Sequence, residues 1–102
     1  MPIYQTAAYR VRPDAVEAVK RAIAEFVDYV RANEPGTLMY AAWQEQDDPT
    51  RFVHLFTFAD AAAQTAHSES AAVARFEATY RPELVGGDVV FVDFELVATN
   101  QG

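Results

Sequence analysis

The chain has 102 residues, is 51% hydrophobic and 13% aromatic, carries a formal charge of −7 and contains no cysteine. This is enough apolar material for one core and too short a chain for two, while the lack of cysteine excludes disulfides, thiolate metal sites and cysteine nucleophiles. The acidic field and the thin scatter of eight basic residues speak against nucleic acid, and no apolar run approaches the ~20 residues of a membrane span.

Two histidines far apart in sequence give no expectation of a transition-metal site. The start MPIYQTAAYRV has no charged segment leading into an apolar one, so a cytoplasmic location is expected. One domain over 1–102 is expected, with its core at about 3–98 and a frayed tail.

Residues 3–12 read as a strand with Ile3, Gln5, Ala7, Tyr9 and Val11 on one face. Pro13 and Asp14 suit the first turn of a helix. Val16, Val19, Ile23, Phe26, Val27 and Val30 then recur three and four apart, an amphipathic helix of about five turns at ~3.6 residues each. Asn33-Glu34-Pro35-Gly36 stops it, because Pro35 cannot continue the helix and Gly36 allows a positive φ.

Residues 37–46 (TLMYAAWQEQ) and 51–58 (RFVHLFTF) read as two strands around the turn Asp47-Asp48-Pro49-Thr50, hence an antiparallel hairpin. Asp60 suits the cap of a short helix from Ala61 to about Ala66. A second helical piece runs from Ala71 to Tyr80, with Ser68 and Ser70 as hydroxyls available to cap it. Gly86-Gly87 forms a joint, and residues 88–98 (DVVFVDFELVA) form a last strand.

The order β-α-β-β-α-β predicts an α+β, ferredoxin-like fold: a four-stranded antiparallel sheet with two helices on one face. The strands at 51–58 and 88–98 are apolar on both sides, and one layer of helices covers only one face. A second copy is expected to cover the other, giving a homodimer.

With the elements in place, NEPGTLMY, then RFVHLFTF followed by FAD, then His67 within ADAAAQTAHSES resemble the antibiotic biosynthesis monooxygenase family of the dimeric α/β-barrel group. The resemblance runs over roughly residues 3–98. In that family a Glu-Pro-Gly turn precedes an aromatic-bearing strand, and a histidine follows an acidic helix start by about seven residues. Here these are Glu34-Pro35-Gly36, Phe56 with Phe58, and Asp60 with His67. The resemblance implies oxygenation of a quinol, anthrone or related phenolic molecule by molecular oxygen without a cofactor. The ring substrate itself would supply the electrons once deprotonated. Haem-degrading relatives carry an asparagine where this chain has Ala7, a histidine ligand where it has Arg75, and a tryptophan near Ala66, so haem chemistry is not expected.

His67 is the candidate catalytic base, since imidazole titrates near neutrality; a polar residue at a helix end is the plainer alternative. Tyr9, Trp43, His54, Phe56 and Arg75 are the candidate substrate-binding residues. His54 shares a strand face with Phe52, Phe56 and Phe58, as a ligand wall or a core histidine. Trp43 and Tyr40 fall on opposite faces of their strand, and either could be the pocket side. Arg75 could meet an anionic substrate, or only Glu77 or Glu69. No nucleophile–base triad and no hydrolytic carboxylate pair stands out. A non-catalytic ligand-binding or stress-response module on the same fold is the rival expectation.

Overall fold

The computed structural model describes residues 1–101; Gly102, the end of the tail expected to fray, lies outside them. Four strands alternate with helices in the expected order: β1 (Ile3–Arg10), α1 (Val16–Asn33), β2 (Thr37–Gln44), β3 (Arg51–Phe58), α2 (Ala61–Ser68), α3 (Ala71–Tyr80) and β4 (Val90–Phe94). Short 3-10 turns at Pro13–Ala15 and Arg81–Glu83 lead into α1 and out of α3. The sheet order is β2-β3-β1-β4, and every neighbouring pair is antiparallel. Among the described residues no helix is long and apolar enough to cross a membrane.

The apolar stripe of α1 does what its spacing demands. Val19, Ile23, Phe26 and Val30 are buried and meet Tyr9, Val11 and Phe52 from the sheet and Phe76 and Tyr80 from α3. The helices therefore lie over the sheet face formed by Ala7, Tyr9, Phe52, His54, Phe56 and Phe58. Cross-strand register fixes the opposite face: Thr6 pairs with Leu55 and Val92, Ala8 with Val53 and Val90, and Trp43 with Val53. Among the described residues no element covers that face, so Trp43, Val90, Val92 and Phe94 stay exposed.

Three boundaries differ from expectation. β1 stops at Arg10; beyond it Val11 turns to bridge Leu84 and donates its N–H to the Thr50 carbonyl. β2 stops at Gln44 and carries an irregularity between Thr37 and Met39 that leaves Leu38 as an extra residue, a bulge that twists the strand. β4 spans only residues 90–94 of the expected 88–98. Its sole partner is β1, and the pairing ends with Phe94 opposite Tyr4, one residue from the start of β1 at Ile3.

Gly36 does not use the positive φ open to it: among the described residues positive φ occurs only at Gly86 (76°) and Gly87 (117°). What Gly36 provides is room. A Cβ there would sit 2.6 Å from the Cβ of Ala63, and the Ala59 N–H bonds its carbonyl. The Glu-Pro-Gly turn and α2 are thereby pressed together.

Candidate active site

Period-two alternation turns Phe52, His54, Phe56 and Phe58 of β3 toward the helices, and all four are buried. β1 adds Gln5, Ala7 and Tyr9, and β2 adds Tyr40. Phe26 of α1, His67 of α2, and Phe76 and Tyr80 of α3 close the other side around a cavity of about 180 Å3. Ser68, Val73, Glu77, Val89 and Phe91 complete its lining, and exposed Phe91 marks the side on which β4, an edge strand, leaves it uncovered.

His67 reaches the cavity because Asp60 starts α2 correctly: its carboxylate accepts the Ala63 N–H at 2.9 Å, the expected cap. α2 continues past Ala66 to Ser68, so His67 sits in its last turn. Ser70, not Ser68, caps α3 by accepting the Val73 N–H. The His67 ring is 8% exposed and is surrounded by Phe26, Tyr40, Phe56 and Phe58 at centroid distances of 5.5, 5.7, 6.2 and 5.1 Å.

Its Nδ1 lies 2.7 Å from Oε1 of Glu34, whose side chain is 9% exposed. Thr37 donates its hydroxyl to the same oxygen at 2.9 Å. Glu34 Oε2 is buried with no hydrogen-bond partner, so His67 and Thr37 carry the whole hydrogen-bonding load of this carboxylate. A carboxylate only accepts, which places a His67 proton on Nδ1; in the neutral ring the lone pair is then on Nε2. Nε2 has no protein partner among the described residues, and the ring lines the cavity.

A second polar group is embedded in the aromatic wall. His54 is 1% exposed; its Nε2 lies 2.8 Å from the Tyr9 hydroxyl and its Nδ1 2.7 Å from the Tyr40 hydroxyl. Burial lowers its pKa from 6.5 to about 4, which keeps the ring neutral near pH 7. Burial also pushes the Tyr9 and Tyr40 hydroxyls well above the ordinary tyrosine range, so both keep their protons.

Of the residues singled out from sequence, the structure brings Tyr9, His54, Phe56 and His67 to one cavity. It does not bring Trp43 there. Tyr40 and Ala42 face the helices, and Trp43, 61% exposed, lies on the uncovered sheet face. Arg75 is elsewhere too, in a shallow cleft with Glu25 and Thr79 between α1 and α3. Its expected partner Glu77 pairs instead with Arg81 at 2.7 Å, one helical turn on.

The sequence reading missed Glu34 as a site residue and left Tyr40 undecided. Glu34 had one signal: it is the C-cap of α1, where the helix end is already partly negative and a carboxylate is unfavourable. Its presence there asks for a partner elsewhere. Among the described residues no three His, Asp or Glu side chains are grouped to hold a metal ion.

The model of the antibiotic biosynthesis monooxygenase family matches residues 2–79, which takes in β1 to β3, α1, α2 and all of α3 but Tyr80. A solved antibiotic biosynthesis monooxygenase is 25% identical, with 94% of this chain covering 99% of that one at a TM-score of 0.85. A Pseudomonas aeruginosa protein is 25% identical, with 95% of each chain covered and a TM-score of 0.83. A Mycobacterium tuberculosis protein at 19% identity shares the fold, with 99% of this chain covering all of that one (100%) at a TM-score of 0.86. No curated protein matches the chain in sequence. By its family match and by the fold that positions this cavity, the chain belongs to the antibiotic biosynthesis monooxygenase family.

Proposed function

We propose that this chain is a monooxygenase that oxidises a phenolic or quinol-like aromatic with molecular oxygen, using His67 as proton acceptor and Glu34 to orient it. The observation that carries this reading is the His67–Glu34 pair at 2.7 Å, set in an aromatic wall with Nε2 unpaired. Glu34 holds the Nδ1–H and stabilises the charge the ring gains when Nε2 takes a phenolic proton. The resulting phenolate is electron-rich and reduces oxygen directly. One oxygen atom ends in the ring product, the other leaves as water, and the four electrons come from the substrate. No external reductant is then needed, and the protein's work is to bind, deprotonate and shield the anion from water.

Cavity size bears on the substrate. Its ~180 Å3 is close to the ~150 Å3 that accommodates a benzene ring, which favours single-ring phenols and quinols over three-ring anthrones. The uncovered sheet face supports a homodimer in which a second copy supplies the missing layer.

The test is oxygen consumption with a panel of quinols and phenols. Turnover is expected with single-ring quinols, and His67→Ala should lower it by ~10²-fold or more. Tight binding across the panel with no oxygen uptake would instead make this a ligand-binding module. Unchanged turnover in His67→Ala would remove the base.

A further inference from the structure

The acid–base reading leaves His54 unused. A neutral imidazole carries one N–H and one lone pair, and here each nitrogen faces a tyrosine hydroxyl, Tyr9 on Nε2 and Tyr40 on Nδ1. One tyrosine must therefore donate to the ring while the other accepts from it. The accepting tyrosine keeps its own O–H proton for another partner. Neither hydroxyl has a second protein partner among the described residues, and both side chains line the cavity. The trio holds one surplus donor, and the tautomer of His54 decides which end carries it.

We propose that Tyr9–His54–Tyr40 is a positioning relay that offers its single surplus hydroxyl to an oxygen of the substrate, so that the site selects an aromatic ring bearing two oxygen functions. This rests on the oxygenase reading: one substrate oxygen gives its proton to His67 and the other accepts from the relay. The two groups share one wall, because the Tyr40 ring centroid lies 5.6 Å from that of His54 and 5.7 Å from that of His67. Both hydroxyls stay protonated under burial, so the relay donates and does not abstract. The oxygen facing the relay stays neutral while His67 takes the proton from the other, so the relay fixes the ring's orientation and does not stabilise the new charge. A substrate oxygen beside Tyr9 draws the Nε2–H tautomer, and one beside Tyr40 draws the Nδ1–H tautomer.

The experiment uses the full chain with 15N-labelled histidine, titrated under anaerobic conditions with hydroquinone and with 4-methylphenol, in which a methyl of similar size replaces the second hydroxyl. Hydroquinone should bind about tenfold tighter. It should also drive the two 15N resonances of His54 in opposite directions as one tautomer is fixed. In Tyr9→Phe/Tyr40→Phe the preference should fall to within about twofold. Equal binding of the two probes by the unaltered chain, an unresponsive His54 tautomer, or a preference retained in the double variant would each overturn the relay. The tautomer readout needs no variant, so a double variant that fails to fold leaves the test intact. Aerobic turnover judges the other reading separately. Hydroquinone that fixes the tautomer without consuming oxygen sinks the oxygenase and leaves the relay, and oxygen uptake with a silent His54 does the reverse.

Discussion

Glu34 occupies a position that the α1 dipole opposes, with one buried oxygen left unpaired, so its placement serves the site more than the helix. Glu34→Gln tests this. A glutamine oxygen can still accept from Nδ1–H and keep the ring oriented, but the charge that stabilises a protonated His67 is gone. Turnover should fall about tenfold to a hundredfold with KM little changed, since the loss is confined to the proton-transfer step. A change in KM alone would place Glu34 in substrate binding instead.

His54 gives a second residue-scale prediction, of stability against pH. Its folded pKa of about 4 lies below the unfolded 6.5, so between these values the unfolded chain binds the extra proton. The stability that depends on neutral His54 is thus fully present above pH 6.5 and is lost as pH falls toward 4. At 1.36 kcal/mol per pH unit the loss amounts to roughly 3 kcal/mol. Thermal melts from pH 7.5 to 4.5 should show the native chain losing more stability than His54→Gln. That variant begins less stable, because a tyrosine hydroxyl loses its partner. Parallel curves would mean that His54 is not held neutral.

At the scale of elements, the contact of the Glu-Pro-Gly turn with α2 decides whether His67 and Glu34 meet. A Cβ on Gly36 would lie 2.6 Å from that of Ala63, and two packed methyls cannot share that distance. Gly36→Ala should push α2 away, costing about 1–3 kcal/mol in thermal melts, and should reduce turnover as His67 is drawn from Glu34. Adding Ala63→Gly makes room again and should restore part of the activity, at the cost of ~1 kcal/mol for glycine within a helix. No recovery in the double variant would mean that the turn, not the helix, had moved.

Elements were also what the sequence made legible. The period-two pattern of β3 turned His54 and Phe56 toward the helices, and the Asp60 cap set the phase of α2 that delivers His67. Two things were hidden for physical reasons. Tyr40 and Trp43 each bring an aromatic ring and a neighbouring alanine to opposite faces of β2, so pattern alone could not say which face meets the helices. The Glu34–His67 bond joins residues 33 positions apart, and no local periodicity encodes such a contact. β4 was overextended because its apolar alternation continues to Val97, while its pairing stops at Phe94 opposite Tyr4, near the start of β1.

At the scale of the whole molecule, the sheet has one face too many for a single chain. Three strands of eight residues and one of five, ~4.8 Å apart and rising ~3.3 Å per residue, make a face of roughly 460 Å2, large enough to mark an interaction surface when apolar. Trp43 (61% exposed), Val92 (43%), Phe94 (53%) and Met39 (44%) line it, and an apolar cleft of about 270 Å3 runs between Met39, Leu55 and Phe94. A second copy brings the same face, and two greasy sheets stacked ~10 Å apart would bury both. Val92 lies midway along the edge strand β4 and pairs with Thr6 of β1 on this face, so Val92→Arg would place a charge within the proposed interface. It should weaken association by a hundredfold or more, because a buried unpaired charge is costly. Arg31→Glu, on the far side of α1, should leave association intact. Analytical ultracentrifugation across a concentration series separates these outcomes, and an unaltered chain that sediments as a monomer throughout would refute the dimer. Because the cavity lies on the helix side, monomeric Val92→Arg should still bind hydroquinone. Loss of binding together with association would mean that the second copy shapes the pocket, through β4 and Phe91 at its mouth.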